Sequence, residues 1–348
     1  MPLKVECFER ISTVDKEEWD GVIKEARAPI FYQYDLLHAF EHAPLETFLQ
    51  AVYLMVKDEQ SNQPLAVIPA YVQDALDLVS LGVVSDNLPL LQGKSRLGVF
   101  SHFWHCYDTC LPMTVESQEV VEVACNALAK IAREWKTSWY GFLNIGSSRN
   151  SVDLFSAVGL MPCSMAWEHF RLDLTGMQTI DSYLELLPGK VRAELRRQYK
   201  RLHENHATTE ILAPPFDERD LEEVVRLCRS TAARFGTEYH YPAETFGDFI
   251  NRVGEKVKIV AVKLDNRLVG ALVCLTDQRC FHVWAGGMRY DLTSFSPYYV
   301  GFQEAIHYAI TSGMTLLEGG RGNSSVKEKL GLRAVPLYAS LSKPERSS

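Results

Sequence analysis

No apolar run in the sequence approaches the roughly 18 consecutive residues that a membrane-spanning helix needs. The opening stretch, MPLKVECFERISTVDKEEWD, contains no apolar core of the kind that a secretory leader has. We therefore expect a cytoplasmic protein in a reducing compartment, with no membrane span.

An excess of positive charge is also absent. The 36 lysine and arginine residues are outnumbered by 44 aspartate and glutamate residues, which gives a formal net charge of −8. Proteins that bind nucleic acid in general carry a basic surface, so this balance argues against one and predicts no DNA partner. It is still compatible with a basic patch confined to one segment.

Cysteine pairs spaced for metal binding are lacking as well, since none of the eight cysteines belongs to a CxxC motif. The nearest pair, Cys106 and Cys110, has His102 and His105 beside it, but the spacing matches no standard zinc site. The sequence predicts buried thiols at this place, no metal and no tightly bound cofactor.

What the sequence does contain is a repeated order of elements. The second half has three strand-like runs at residues 256–288, an amphipathic helix, a strand ending in LLEGG and a last strand. The first half repeats this order, with strands at FLQAVYLMVKD, PLAVIPAYV and residues 77–86, a helix near 119–135 and the strand YGFLNIG. The repeat predicts two α/β (α+β) units, each a mixed, mainly antiparallel sheet flanked by helices. We place these units at residues 1–176 and 177–348.

A helix of unusual charge is predicted near the start of the second unit, at about residues 190–203. On a helical wheel Val191, Leu195 and Leu202 form one apolar stripe, and basic residues line its flanks. These bases are Lys190, Arg192, Arg196, Arg197, Lys200 and Arg201. Two interpretations stay open: a solvated helix face, or a site for the phosphates or carboxylates of a substrate, to which arginine is well suited.

The strand order of each unit resembles the GNAT acyltransferase fold, and the tandem pair resembles the FemAB-like (peptidoglycan-biosynthesis-type) acyltransferase family. The resemblance covers most of the chain. Its segments are EEWDGVIKEARAPIFYQYDLLHAFEHA, MAWEHFRLDLTGMQTIDSYLELLPGKVRAELRRQYKRL, VWAGG, SPYYVGFQEAIHYAITSG and LEGGRGNSSVKEKLGLRAVPLYAS. The last segment is similar to a family ending that reads roughly FEPGAQGEHKIARGFLPVPTYS. The GEHK of that ending appears here as Asn323-Ser324-Ser325-Val326-Lys327, so its acidic and histidine positions are lost.

The resemblance implies an acyl or aminoacyl transfer to an amine, with a reaction centre where the fourth and fifth strands of the GNAT fold separate. Such a transfer needs an uncharged amine, donors for the developing oxyanion and a clamp for the donor's phosphates. The turn LEGGRGNSSVK lacks the Gly-Lys-Ser/Thr ending of a Walker A loop, but its glycines would let backbone N–H groups approach a ligand. We expect Glu318, His282 and Tyr298 to act in catalysis, although His282 also fits a core position.

Twelve further residues are predicted to bind substrate, for three reasons. Some belong to the basic helix or to the glycine-rich turn, some flank the strand VWAGG and the helix after it, and some are aromatic or histidine residues in clusters. They are Lys190, Arg192, Arg196, Arg321, Asn323, Lys327, Trp284, Tyr299, Tyr239, His240, Tyr32 and Trp104. Alternation along a strand would place Trp284 on the same side as His282.

The donor is expected to be aminoacyl-tRNA or acyl-CoA. The place of the CoA pyrophosphate loop of GNAT enzymes reads MRYDLTSFSPYY here, without a glycine ladder, which disfavours acetyl-CoA. We therefore favour aminoacyl-tRNA, held by the basic helix, with an amine of a small molecule or cell-wall precursor as the acceptor. The alternatives are an acyl-CoA-dependent N-acyltransferase, such as one of natural-product biosynthesis, and a non-catalytic binding protein of the same fold.

Overall fold

The computed structural model describes residues 2–74, 78, 81–84, 96–146 and 151–344. The strands are β1 (Leu3–Phe8), β2 (Gln50–Asp58), β3 (Pro64–Asp74), β4 (Val83–Val84), β5 (Leu97–Ser101), β6 (Trp139–Gly146), β7 (Met161–Asp173), β8 (Thr208–Leu212), β9 (Val257–Leu264), β10 (Arg267–Thr276), β11 (Cys280–Met288), β12 (Leu316–Arg321) and β13 (Arg333–Ser342). The helices are α1 (Lys16–Glu25), α2 (Tyr34–His42), α3 (Gln118–Glu134), α4 (Ser151–Ala157), α5 (Ile180–Leu186), α6 (Gly189–Glu204), α7 (Glu218–Ala233), α8 (Phe246–Val253), α9 (Pro297–Thr311) and α10 (Ser324–Lys329).

The chain forms two compact units. Unit 1 consists of Met1–His42, Glu46–Glu168 and Val335–Ser348, and unit 2 consists of Ala43–Leu45 and His169–Ala334. In unit 1 the strands lie in the order β1-β2-β3-β5-β6-β13, and in unit 2 in the order β8-β9-β10-β11-β12-β7. Each sheet is antiparallel except for one parallel pair, β5–β6 in unit 1 and β11–β12 in unit 2. The predicted class of mixed, mainly antiparallel sheets flanked by helices is confirmed.

Amphipathic helices cover each sheet. In unit 1 the hydroxyl of Ser117 caps α3 by accepting from the backbone N–H of Val120, and Val121, Ala124 and Leu128 of this helix are buried in the core. In unit 2 the residues of α9 that pack on the sheet include Phe302, Ala305 and Ile306, which join the core with Leu272, Phe281 and Leu317. Burying one such large aliphatic or aromatic side chain contributes about 1.5–3 kcal/mol.

The predicted hairpin between β9 and β10 is confirmed by its backbone angles. Asp265 and Asn266 have φ values of 49° and 59°, as the two central residues of a tight hairpin turn require. The strand predicted at residues 77–86 lies partly outside the described residues, and Val83–Val84 form the short strand β4 within it. The sequence did not predict β8, α7 or α8.

The bounds of the two units depend on their closing strands. Strand β7 ends the first sequence repeat, but its residues from His169 onward belong to unit 2 and pair with β12. Strand β13 ends the second repeat, but its residues from Val335 onward belong to unit 1 and pair with β6. The two compact units therefore differ from the predicted division at residues 1–176 and 177–348, which concerns folding domains and stays a prediction.

Candidate active site

Strands β11 and β12 of unit 2 separate after a short parallel pairing. Their register runs only from Cys280 opposite Leu316 to His282 opposite Glu318. Beyond this point β11 continues beside β10 as far as Met288, while β12 continues beside β7. The sheet therefore opens between the two strands, with His282 and Glu318 at the closed end of the opening.

Both strands are irregular beside this opening. The register of β11 against β10 shifts by one residue at Trp284, and the register of β12 against β7 shifts between Glu318 and Arg321. Bulges of this kind are common next to active sites, because they re-aim side chains. The shift at Trp284 also breaks the two-residue alternation on which the predicted placement of Trp284 beside His282 depended.

Two glycines allow the irregular backbone of β12. A Cβ atom at Gly319 would lie 2.5 Å from a methyl group of Leu332 and 3.3 Å from the carbonyl oxygen of Phe170. Gly320 has a φ of 68°, in the left-handed region that favours glycine. The N–H of Gly320 donates to Oε1 of Glu318 at 3.1 Å. This N–H group serves the protein's own carboxylate, whereas we predicted that it approaches a ligand.

The Glu318 carboxylate is buried, with 3% of the residue exposed, and it is held by side chains of β7. Nε of Arg171 donates to Oε2 of Glu318 at 3.0 Å. Nδ1 of His169 lies 2.9 Å from the same oxygen. Residues of two strands thus converge on one carboxylate in the interior of unit 2.

The charge of this cluster is set by opposing effects. Burial raises the pKa of Glu318, but His169 and Arg171 outweigh burial, and the pKa of the carboxyl lies below its ordinary value. A carboxylate with a lowered pKa binds protons weakly, so the environment suits orientation and charge stabilisation better than proton abstraction. The catalytic role of Glu318 itself stays a prediction.

His282 stands opposite Glu318 and pairs with a second carboxylate. Its Nε2 lies 3.4 Å from Oδ2 of Asp277. The other oxygen of this carboxylate, Oδ1, accepts from the backbone N–H groups of Arg279 and Cys280 at 2.8 and 2.7 Å. Burial lowers the pKa of His282, but Cys280 and Asp277 outweigh burial and raise the pKa well above its ordinary value. His282 is therefore a buried cation close to Glu318 rather than a ready proton acceptor.

Lys327 is 3% exposed, and its amine points inward. Nζ donates to the carbonyl oxygens of Gly320 and Arg321 at 3.0 and 2.8 Å, and it lies 5.3 Å from the centre of the Phe170 ring. Burial lowers the pKa of Lys327 to about 7, although Glu318 acts in the opposite direction. In this conformation the amine fixes the glycine-rich turn, whereas we predicted that it holds an anionic part of the substrate.

Three predicted residues meet where α9 begins. The hydroxyl of Tyr298 hydrogen bonds to the side chain of Asn323, the exposed residue that precedes α10, and burial raises the pKa of this hydroxyl. Tyr298 therefore stays protonated at neutral pH and can donate a hydrogen bond or a proton. Tyr299 follows it on α9 and is half-buried. The half-buried Arg321 lies close enough to Lys327 to help lower the pKa of that amine.

The other predicted residues of unit 2 lie on α6, on β11 and after α7. Trp284 is buried, and its ring packs on Phe246 and Phe249 of α8 at 5.9 and 5.5 Å. Tyr239 is 65% exposed and meets the ring of His240 edge to face at 4.4 Å. Among the described residues, we observe no hydrogen bond or ion pair that joins Trp284 or Tyr239 to Glu318.

Helix α6 carries the predicted basic residues on its outer side and buries Leu195, Gln198 and Leu202. Lys190 and Arg196 are exposed, whereas Arg192 is half-buried and donates to the carbonyl oxygen of Glu185 at 3.2 Å. The other bases make local pairs or contacts. They are Arg197 with Glu194, Lys200 with Glu204 and Arg201 with the carbonyl oxygen of Ser294.

Tyr32 and Trp104 belong to unit 1. Tyr32 has no exposed surface, and its hydroxyl exchanges hydrogen bonds with the backbone O and N of Cys110 at 2.8 and 2.9 Å. The backbone N–H of Trp104 donates to the Glu46 carboxylate at 2.8 Å, and its carbonyl accepts from Asn144 at 3.1 Å. Both residues take part in the internal packing of unit 1, and their predicted substrate contacts stay predictions.

Sequence reasoning missed two residues of the cluster, His169 and Arg171. Both lie in EHFRLD, where the polar residues alternate with Phe170 and Leu172 as on a strand with one polar side. That alternation was the available signal. It could not reveal Glu318 as the partner, because the pairing of β7 with β12 depends on the exchange of closing strands.

Among the described residues, no group of three histidine, cysteine, aspartate or glutamate side chains could hold a metal ion. No helix among the same residues is long and apolar enough to span a bilayer.

An open cleft of 1050 Å³ lies between α7 and α8, and it is lined by residues such as Glu222, Arg229 and Asp248. It includes no predicted site residue, so we place the candidate active site at the opening between β11 and β12.

One family profile matches the segment that contains the opening. Residues 189–328, which include β11, β12 and most of the residues around the opening, match the sequence profile of the acetyltransferase (GNAT) domain. No curated protein sequence matches the chain.

Solved structures share the fold over nearly the whole chain. FemX superposes with a TM-score of 0.65 at 10% identity, covering 96% of both chains. The C-terminal domain of a putative lysylphosphatidylglycerol synthetase from Agrobacterium fabrum gives 0.55 at 13% identity, covering 94% of this chain and 93% of the other. A tandem GNAT protein from the clavulanic acid biosynthesis pathway gives 0.57 at 10% identity, covering 100% of both. The chain therefore has a fold like that of FemX and of a tandem GNAT protein, and residues 189–328 of its second unit are similar to the GNAT acetyltransferase domain.

Proposed function

We propose that the protein is an N-acyltransferase that moves an aminoacyl group from aminoacyl-tRNA onto an amine and forms an amide bond. The observation that carries the proposal is the opening between β11 and β12, in the segment that matches the GNAT domain. At its closed end the carboxylate of Glu318 and the cation of His282 are fixed in the interior of unit 2. Fixed charges in a buried site stabilise charge that develops during acyl transfer.

The reaction places the donor carbonyl in the opening and the acceptor amine beside it. The amine nitrogen forms the new C–N bond, the C–O bond to the terminal ribose of the tRNA breaks, and the ribose oxygen takes up a proton. Tyr298 is protonated at neutral pH and lies at the start of α9, so it suits the delivery of that proton. The acceptor is an amine of a small molecule or of a cell-wall precursor.

Helix α6 supports tRNA as the donor. It carries six lysine and arginine residues against two glutamates, and Lys190 and Arg196 are exposed to solvent. Exposed bases on one helix are the usual means of binding a phosphate backbone. The name of one structural neighbour describes an aminoacylated product, lysylphosphatidylglycerol, which agrees with an aminoacyl donor.

The loop between β11 and α9 argues against a CoA donor. It contains no glycine at residues 289–296 and is held by its own side chains. Arg289 pairs with Asp291, Ser294 is bonded to Arg201 and Asn205 of α6, and the N–H of Ser296 donates to Gln198 at 2.6 Å. The N–H of Ser296 is therefore already occupied, and the loop has no glycine at which its backbone could approach a pyrophosphate closely.

An acyl-CoA-dependent N-acyltransferase is the second candidate. It is favoured by the likeness to the tandem GNAT protein from clavulanic acid biosynthesis, whose description refers to AcCoA. A non-catalytic binding protein of this fold is the third candidate, since the acidic and histidine positions of the family's GEHK are replaced in this chain.

One experiment separates the three candidates. The purified protein is incubated with a mixture of charged tRNAs and an amine extract, with and without RNase, and in parallel with acetyl-CoA and a thiol reagent. We expect an amide product by mass spectrometry that RNase abolishes, and no release of CoA thiol. Thiol release that RNase leaves unchanged would establish the CoA-dependent candidate. Binding of charged tRNA without any product would establish the non-catalytic one.

A further inference from the structure

We infer that His169 is the general base that prepares the acceptor amine, with Glu318 as its positioning partner. The inference rests on the proposed function and deepens it, because it assigns the proton transfer at the same site to a residue that the sequence did not point out. It depends on the geometry of three side chains, His169, Arg171 and Glu318.

The two ring nitrogens of His169 have different surroundings. Nδ1 lies 2.9 Å from Oε2 of Glu318 without the alignment of a hydrogen bond, and Nε2 is buried and makes no hydrogen bond with the described residues. A buried polar atom that lacks a partner destabilises the fold, and such atoms in native proteins commonly have a functional reason. The lone pair of Nε2 is therefore available for a ligand or a water molecule.

The neighbours of Glu318 determine which nitrogen carries the proton. Arg171 and the N–H of Gly320 both donate to the carboxylate and favour its ionised form. An ionised carboxylate only accepts, so Nδ1 of His169 must carry the hydrogen that faces it, and Nε2 is left as the acceptor. When Nε2 takes a proton, the same carboxylate stabilises the imidazolium, as in acid–histidine pairs of hydrolases.

The other titratable groups around Glu318 are less suited to this step. Nζ of Lys327 is committed to the carbonyl oxygens of Gly320 and Arg321, and in this conformation it holds the glycine-rich turn in place. His282 is held in its charged form by Asp277. Arg171 remains protonated in proteins at all relevant pH values. His169 is thus the group of the cluster that combines an available acceptor atom with a fixed orientation.

His169 is placed where the reaction needs it. It pairs with Arg321 in the register of β7 and β12, two residues along β7 from Arg171, which pairs with Glu318, and at the bulge beside the opening. The ring has no exposed surface, so we place one water molecule between Nε2 and the acceptor, a distance over which general bases act.

The proton balance is complete. The acceptor arrives as a protonated amine and gives one proton to Nε2 of His169 through the water. The neutral nitrogen attacks the carbonyl carbon, the C–N bond forms and the C–O bond to the ribose breaks. The second proton lost by the nitrogen is matched by the one that the ribose oxygen gains, and His169 returns its proton to solvent.

The test uses a substitution that keeps the contact with Glu318 and removes the base. In His169→Asn the side-chain amide can still donate to Glu318, but it cannot accept a proton at neutral pH. We expect kcat to fall by about 10²–10⁴-fold, with the Kd for charged tRNA unchanged. Added imidazole should restore part of the rate, and the restored rate should rise with pH as free imidazole deprotonates. The melting temperature and circular dichroism spectrum confirm that the variant is folded, and His169→Gln replaces it if it is not.

The outcomes separate the base from the site as a whole. A His169→Asn variant with wild-type kcat, or one that imidazole does not rescue although it is folded and binds tRNA, overturns the role of His169 while leaving the transferase intact. A wild-type protein that makes no amide from either donor overturns the proposed function itself. Nitrogen NMR of the wild-type imidazoles gives an independent check, because a proton on Nε2 of His169 at pH 8 would contradict the inferred tautomer.

Discussion

At the scale of single residues, the candidate site combines groups that burial and charge affect in opposite ways. Burial alone would neutralise Glu318, His282 and Lys327, because a charged group is costly to remove from water. Glu318 and His282 keep their charges because each has a partner of opposite sign. Lys327 has carbonyl oxygens instead of a carboxylate at bonding distance, and burial lowers its pKa to about 7.

The lowered pKa of Lys327 predicts that the free energy of unfolding depends on pH. Its pKa is about 7 in the folded protein, against 10.5 for an ordinary lysine. Between these values the unfolded chain binds the extra proton, so the free energy of unfolding should rise with pH, by at most about 1.4 kcal/mol per pH unit. Below pH 7 both states bind the proton and the contribution is constant. Urea titrations from pH 6 to 9 would measure it.

The matched control for this prediction is the exposed lysine on the same helix. Lys327→Met should flatten the rise in unfolding free energy between pH 7 and 9, whereas Lys329→Met should retain it. Equal slopes in the wild type and Lys327→Met would show that Lys327 keeps its ordinary pKa in the folded protein.

The sequence anticipated single residues better than their roles. It pointed to Glu318, His282 and Lys327 through a strand end and a glycine-rich turn, and in the structure Glu318 stands opposite His282 and close enough to Lys327 to act on its pKa, while their predicted roles stay predictions. It could not show that Lys327 turns inward, since the direction of a lysine in a short helix depends on which carbonyl oxygens lie nearby. Nor could it foresee the bulge at Trp284, because alternation is read on the assumption of a regular strand.

At the scale of elements, helix α6 shows that the number of basic residues on a helix differs from the number that can contact phosphates. Its apolar stripe was predictable from the periodicity, and the helix forms at Gly189–Glu204 as expected. Of its basic residues, Arg197 and Lys200 are partly neutralised by acids on the same helix, and Arg201 is tied to the carbonyl oxygen of Ser294. Lys190 and Arg196 are exposed, so they are the bases that we expect phosphates to contact.

A double substitution on α6 tests this expectation. Lys190→Ala with Arg196→Ala should weaken the binding of charged tRNA and lower the slope of log K against log salt by about 1–2, because two phosphate contacts are lost. Binding measured by filter retention between 50 and 200 mM salt would give both quantities. The control, Arg252→Ala with Arg267→Ala, removes the same charge from exposed positions elsewhere in unit 2. If both double variants lose affinity and slope equally, α6 is not a specific tRNA site.

At the scale of the whole molecule, the main feature is a sequence repeat whose closing strands are exchanged. The repeat could be predicted, because both halves have the same order of apolar runs, helix and glycine-rich turn. The exchange could not, because the alternation of residues shows which side of a strand is buried but not which sheet the strand joins. Strand β7 leaves the first repeat to deliver His169 and Arg171 to Glu318, so the cluster in unit 2 depends on it.

The exchange of the closing strands leads to a prediction about the C-terminal end of the chain. A protein that stops after Ala334 lacks Leu337–Ser342, which pair with β6 in unit 1. It also lacks Leu337, Ala339 and Leu341, which are 1%, 0% and 0% exposed in the core of unit 1. The removal of these buried residues should cost several kcal/mol, at about 1.5–3 kcal/mol for each leucine. Hydrogen exchange should therefore speed up in β6, although β6 lies in the first sequence repeat and the removed residues end the second repeat.

The control for the truncation is a chain that stops after Pro344, which keeps all of β13 and should exchange like the full protein. In the chain that stops after Ala334, strands β9, β10 and β12 of unit 2 should keep their protection, because they pair with one another, with β11 and with β7. Rapid exchange in β12 with a protected β6 would mean that β13 stabilises the second sequence repeat, as a division at residues 1–176 and 177–348 requires. The measurement thus decides whether the folding domains follow the sequence repeats or the two compact units.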